Sequence, residues 1–162
     1  MKKILLIQLF LISFSNFIYS QKNADKQFQT ASLPNGWSIT KIGNSLPLGD
    51  LPLNMVVSHS KKLIAVTNNG QSIQSLELID PIKEIVLDKI IVPKLWYGLK
   101  FSADDKFLYA SGGNDNRILK YQIRKNHLIL IDSLLLGKAW PNKISPSGID
   151  LDDGKGLLYV VT

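Results

Sequence analysis

Cysteine is absent from the 162 residues, and histidine occurs twice. The first absence removes disulfides, thiolate nucleophiles and cysteine-built zinc sites together, so the domain must be held by its core. The second leaves little for a metallo-hydrolase, which needs several Asp and His ligands beside a Ser or Thr nucleophile. His59 and His127 fall in turns of a repeating pattern, too far apart in it to share a metal, and read as solvated turn residues. Also missing between Gln21 and Thr162 is any sustained 3.6-residue apolar period, the signature of an amphipathic helix. Charge is mild: 19 Lys and Arg stand against 13 Asp and Glu, for a net +6, and no like-charged run outgrows a pair such as Lys61-Lys62. A scattered excess of this kind is a solvated surface that permits an anionic partner without arguing for one.

What is present begins with a leader. Lys2 and Lys3 precede an apolar run from Ile4 to Phe14, and a small residue, Ser20, ends "SNFIYS" before the polar "QKNADKQ". Charged, apolar and small-residue regions in that order make residues 1–20 a secretory signal peptide, cleaved after Ser20. Its apolar core is shorter than the ~20 residues that span a bilayer and is interrupted by Ser13, Ser15 and Asn16. Cleavage takes the +6 to +4, directs the chain to the periplasm or outside the cell, and leaves residues 21–34 as a linker. No cysteine follows the site to carry a lipid.

The rest is repetitive. "FSADDKFLYASGG" (Phe101 to Gly113) has a partial copy 44 positions earlier, "VSHSKKLIAVTNN", and another 50 positions later, "LDDGKGLLYVVT". The lead-in segments "GDLPLN", "PKLWYG" and "GKAWPN" recur at 44, with Trp96 and Trp140 in equivalent positions and Lys143 to Gly148 read as an insertion in the third copy. Units of 49–92, 93–136 and 137–162 follow. Each complete unit reads as four short strands separated by Asn, Gly, Asp and Pro turns, such as Leu99 to Phe101, Lys106 to Ser111, Arg117 to Ile123 and Leu128 to Leu136. Four antiparallel strands every 44 residues is the spacing of a β-propeller blade, so the fold class expected is all-β, an incomplete ring of about two and a half blades over residues 35–162. The first and second strands suit inner, covered positions and the charged fourth strand the outer edge. "WSITKIG", with Trp37, reads as a strand ahead of the first unit, expected without sheet partners. "DLDDGKG" (Asp150 to Gly156) misses the EF-hand register, because Gly154 is fifth rather than sixth, and reads as a hairpin turn.

The runs "LPNGWSITKIGNSLPLGDLPLNMVVSHSKKLIAVTNNG" and "PKLWYGLKFSADDKFLYASGGNDNRILKYQI" resemble the start of a YncE-like, lactonase-type seven-bladed propeller. More narrowly, "PLGDLPLNM", "VTNNG", "QSLELID" and "WYGLKFS" resemble the propeller half of bacterial proteins in which an alkaline-phosphatase-superfamily phosphoesterase domain follows. The resemblance implies a piece of a longer protein, whose partners are its remaining blades and that domain. No catalytic residue, metal or cofactor is expected in this segment.

The candidate site comes from the way a blade is strung. Loops before the first strand and between the second and third emerge on one face. That gathers Asn54, Trp96, Tyr97, Trp140 and Asn142 beside Asn68, Asn69, Asn114, Asp115, Asn116 and Arg117. Aromatic and amide groups so placed suit a sugar, a nucleotide, a nucleic-acid strand or a protein loop. The competing readings are blade-to-blade packing for the tryptophans and turn-making for the Asn-rich loops. The expected function is a binding and docking module. A lactonase-like hydrolase is the alternative, but only Asp50 and Asp115 lie near that face to serve it; single-stranded nucleic-acid binding is the other.

Overall fold

The computed structural model describes residues 30–138 and 144–162, so the leader and most of the linker lie outside the described residues. The chain divides into two units, Met1–Ser45 and Leu46–Thr162. In the first, β1 (Thr30–Ser32) pairs antiparallel with β2 (Ser38–Thr40). The turn between them closes where the Gly36 amide donates to the Leu33 carbonyl, with Gly36 at φ +82°. The stretch after Trp37 is thus not the partnerless strand expected: β1 supplies its ladder.

The second unit is a succession of antiparallel meanders. β3 (Pro52–Val57), β4 (Ile64–Asn68), β5 (Ser75–Asp80) and β6 (Ile85–Ile91) form one sheet in chain order. β7 (Leu99–Phe101), β8 (Phe107–Ser111), β9 (Arg117–Arg124) and β10 (His127–Leu135) form a second in the same order. β11 (Ile149–Asp152) and β12 (Leu157–Val160) pair as a hairpin. The only helical element among the described residues is one 3₁₀ turn, Gly113–Asp115, and no helix there is long and apolar enough to cross a membrane.

The 44-residue repeat is visible atom by atom. Ser58 and Ser102 open equivalent turns, each hydroxyl accepting a backbone amide five residues on, from Leu63 at 3.1 Å and Phe107 at 3.0 Å. Lys61 and Asp105 take the left-handed position of those turns, at φ 59° and 57°. Both fourth strands carry a bulge at the same place: Leu87 is skipped opposite Leu78 and Ile79, and Ile131 opposite Tyr121 and Lys120. A bulge increases local twist, which a stack of twisted sheets needs at its outer rim.

The core lies between the two four-stranded sheets. Ala65, Leu76 and Leu78 of the first sheet meet Leu99, Phe101, Leu108, Ala110 and Tyr121 of the second. Burial there pushes the Tyr121 hydroxyl up to about 12. β7 lies between β3 on one side and β11 on the other, so Leu99 and Phe101 are 4% and 2% exposed. Their counterparts in β3, Met55 and Val57, are 60% and 53% exposed, a departure from the covered inner strand that the pattern predicts. The fourth strand is outermost as expected: of β10, only Leu128 is buried.

Carboxylates tie the sheets together at the turn side. Asp105 accepts the His59 and Ser60 amides at 2.8 Å each. Asp153 in the third hairpin accepts the Ala103 amide at 2.6 Å, and Asp88 accepts the Leu128 amide at 2.7 Å. Both histidines sit exposed beside this seam, His59 3.5 Å from Asp105 and His127 3.6 Å from Asp88. Burial alone would raise the Asp105 carboxyl, but the Ser60 side chain and amide and the His59 amide outweigh it and leave it below the usual carboxylate value. A depressed carboxyl stabilises the fold above its unfolded value, about 3.9, and that contribution is lost as pH falls through the folded value. Asp105→Asn is therefore expected to cost about 1 kcal/mol at pH 7, the ordinary net worth of such a hydrogen bond. In urea titrations the gap between wild type and variant should close as the pH is taken below about 4. A gap that stayed constant with pH would mean that the carboxylate does not hold the seam.

Candidate functional site

An antiparallel meander puts the β3–β4, β7–β8 and β11–β12 turns on one side and the β4–β5, β6–β7, β8–β9 and β10–β11 connections on the other. On the second side, between the first and second sheets, the connections enclose a shallow cleft of about 270 Å³. Asn69 and Gln74 come to it from the β4–β5 loop, Lys94 and Trp96 from the β6–β7 loop, and Gly113 and Asn114 from the 3₁₀ turn; Ser145 completes the wall.

Two side-chain amides build that wall. Gln74, directly ahead of β5, donates to Asn69 Oδ1 and accepts the Lys94 amide on its own Oε1. Asn116, directly ahead of β9, accepts the Ile144 and Ser145 amides on Oδ1 at 3.1 and 3.0 Å and donates to the Lys138 carbonyl at 2.6 Å. The backbone repeats the arrangement: the Val92 amide donates to the Gln74 carbonyl at 3.1 Å, the Leu136 amide to the Asn116 carbonyl at 2.8 Å. Lys94 and Ser145 are both left-handed, at φ 61° and 46°, a conformation that costs an L-residue unless its surroundings impose it. The amide acceptors impose it.

The cleft carries one full charge pair. Lys94 Nζ lies 2.6 Å from Asp115 Oδ1, which cancels the only ammonium of the wall among the described residues. Ser145 Oγ donates to Asn114 Oδ1 at 3.0 Å. Trp96 is 44% exposed, and its Cβ lies against Gly113. Elsewhere, Lys120 Nζ sits 4.5 Å from the Phe107 ring centre and 5.5 Å from that of Tyr109, beside a more open hollow between the β7–β8 turn and Asp153 of the β11–β12 turn.

Of the residues that the sequence singles out, Asn69, Trp96 and Asn114 meet in the cleft, and Asp115 acts there through Lys94. Asn68 and Asn116 do not belong to a binding surface: both are 0% exposed. Asn68 donates to Ser75 Oγ at 3.1 Å, and its Oδ1 is buried without a partner among the described residues. Asn54 ties β3 to the next loop by donating to the Tyr97 carbonyl at 2.7 Å; Tyr97 is half exposed outside the cleft. Arg117 packs its stem on Gly112, with Nε buried and unpartnered among the described residues. Trp140 and Asn142 lie outside the described residues.

The expected pairing of Trp96 with Trp140 falls on a residue outside the described ones. The Trp96 amide donates to the Ser111 carbonyl and the Ser111 amide to Gly98; in the third unit the Ser147 amide donates to Val161 and the Val161 amide to Gly148. The Ser147 amide thus makes the ladder bond in the third unit that the Trp96 amide makes in the second. Gln74, Lys94, Gly113 and Ser145 went unnoticed in the sequence. An amide immediately before each third strand is the signal that finds Gln74; Lys94 and Ser145 have none, because their role follows from a backbone angle.

Asp50 and Asp115 are both engaged. The Ser72 amide, donating to Asp50 Oδ2 at 3.0 Å, holds the Asp50 carboxyl below its usual value. No three His, Asp or Glu side chains gather as metal ligands among the described residues. "DLDDGKG" is a hairpin turn, closed by the Lys155 amide on Asp152 Oδ1 at 3.1 Å.

Gly113 sets the depth of the cleft. A Cβ there would lie 2.9 Å from the Lys94 carbonyl oxygen and 3.1 Å from Trp96 Cβ, on a residue at φ +47°. Gly113→Ala should cost about 2 kcal/mol and shift the Trp96 emission, whereas Gly154→Ala, with nothing nearer than 3.4 Å, should stay within about 0.5 kcal/mol of wild type. Equal stabilities for the two variants, measured by urea unfolding, would contradict this packing.

No family model matches the chain, and no curated protein matches it. Among solved structures, Kuenenia stuttgartiensis hydrazine synthase is similar over 73% of this chain and 31% of its own length, with a TM-score of 0.55 and 17% sequence identity. The chain thus spans about a third of that protein, and at this identity the likeness is one of fold alone.

Proposed function

We propose that the chain is part of a β-propeller that serves as a binding and docking module, exported to the periplasm or beyond and, in the longer protein, joined to a phosphoesterase domain. The observation that carries the reading is the repeated passage from sheet to sheet. Two consecutive four-stranded meanders and a further hairpin keep their first strands side by side and are linked by the same amide-clamped loop. That is how blades follow one another around an axis. The functional half of the proposal rests on the cleft on the loop side, which presents an indole, amides and a hydroxyl. Fold by itself does not give function.

The test is a titration of the chain with turnover assayed in parallel, using a glycan panel, single-stranded DNA, a lactone and a phosphodiester. The expected outcome is saturable binding without turnover and with little dependence on salt. Hydrolysis of the lactone or the phosphodiester by this chain would replace the reading by an enzymatic one. Binding of DNA whose log affinity falls with log salt, at about 0.7 per phosphate neutralised, would replace it by nucleic-acid recognition. Export is tested by fusing residues 1–29 to a reporter phosphatase that folds only outside the cytoplasm; an inactive fusion would remove the periplasmic or secreted location.

A further inference from the structure

We infer that the cleft between the first and second sheets is a subsite for one uncharged sugar ring of a glycan, with the Trp96 indole as its platform. This rests on the reading of the chain as a binding module and names the ligand of that module.

Four observations lead to it. The cleft, at about 270 Å³ and open to solvent, is smaller than the ~300 Å³ at which sites for drug-sized ligands begin, so it takes a single ring rather than a nucleotide or a folded peptide. Among the described residues its charge is already spent: Lys94 Nζ is held at 2.6 Å by Asp115, so a phosphate or carboxylate would find no unpaired cation there and would meet the Asp115 carboxylate. Its platform is amphipathic, an indole that offers a flat apolar face and an N–H at once. Its polar rim consists of donors in fixed positions. Asn69 and Asn114 both line the cleft and use Oδ1 inside the chain, accepting from Gln74 and Ser145, so what each has to offer a ligand is its NH₂ donor. Two such groups beside an aromatic face complement the neighbouring hydroxyls and the C–H face of a pyranose.

The rim is also pre-organised, since the Gln74 and Asn116 acceptors hold Lys94 and Ser145 in left-handed conformations before any ligand arrives. Rigid walls lower the ordering cost of a weak ligand. An apolar ligand would instead require an enclosed, dry pocket, and a run of stacked bases would require cations along its backbone.

The experiment is a glycan array probed with the full chain, carrying neutral, uronic-acid and phosphorylated glycans, followed by NMR titration of the strongest neutral glycan. The Trp96 indole N–H and the Asn69 and Asn114 side-chain amides are the reporters. Binding of a neutral glycan should move all three; Trp96→Ala should weaken it at least tenfold, and Trp96→Phe, which keeps a flat ring and guards against misfolding, by less. Asp115→Asn, which releases Lys94, should raise the affinity for glucose 6-phosphate relative to the neutral glycan at least fivefold. If only acidic glycans move the reporters, the uncharged ligand is wrong and the binding module stands. If neutral glycans bind but leave the reporters still, the subsite is wrong and the module again stands. If neither glycan nor DNA binds the chain at all, both readings fall together.

Discussion

One side-chain amide stands in front of each third strand, Gln74 in the first sheet and Asn116 in the second, and it fixes how one sheet follows another. A four-stranded meander has two faces and buries neither alone, so its stability depends on where the chain places the next sheet. The β6–β7 connection that does the placing anchors Val92 and Leu95 in the core and leaves Lys94, Trp96 and Tyr97 on the surface, where unaided backbone would be mobile. By accepting the amides of Lys94 and of Ile144 and Ser145, the two side chains hold those connections in left-handed turns that ordinary residues avoid. The next strand then starts at the correct edge, and the apolar faces around Phe101, Leu108 and Leu78 close on each other.

The same constraint builds the cleft. Each clamped connection rises beside the 3₁₀ turn or the β4–β5 loop, so the indole of Trp96 and the amides of Asn69 and Asn114 are brought to one place as a by-product of sheet stacking. At the opposite side the division of labour differs. There the carboxylates of Asp105, Asp153 and Asp88 receive backbone amides from the neighbouring sheet, and the result is a seam with no comparable collection of donors. One side of the stack is therefore fastened by neutral amides and the other by carboxylates, which separates the conditions that affect each: acid that protonates Asp105 weakens its link while leaving the amide clamps intact.

Much of this was legible in the sequence. Alternation in "RILKYQI", the Ser-led turns and the Asn-Gly punctuation mark every strand of the two complete units, because strand period and turn chemistry are local properties. The outermost place of the fourth strand was legible too, from Asp88, Lys89 and Asp132 among its apolar residues. Other features were hidden for physical reasons. That Ser147 takes the ladder bond made by Trp96 in the unit before could not be read by letter matching, because it is a backbone bond that any residue type can make. Asn68 and Asn116 look like any turn asparagines, yet burial converts them from surface groups into structural ones. Lys94 looks like a solvated charge, and its importance lies in a φ angle that depends on an acceptor 20 residues away.

The most direct test of the clamp is amide hydrogen exchange at Lys94 and Ser145, both in exposed connections outside any strand. If the side chains of Gln74 and Asn116 hold these amides as the structure has them, both should exchange as slowly as the strand amides of β5 and β9, and each should lose that protection in Gln74→Ala or Asn116→Ala respectively. Exchange at the rate of an unstructured loop in the unmodified protein would contradict the account.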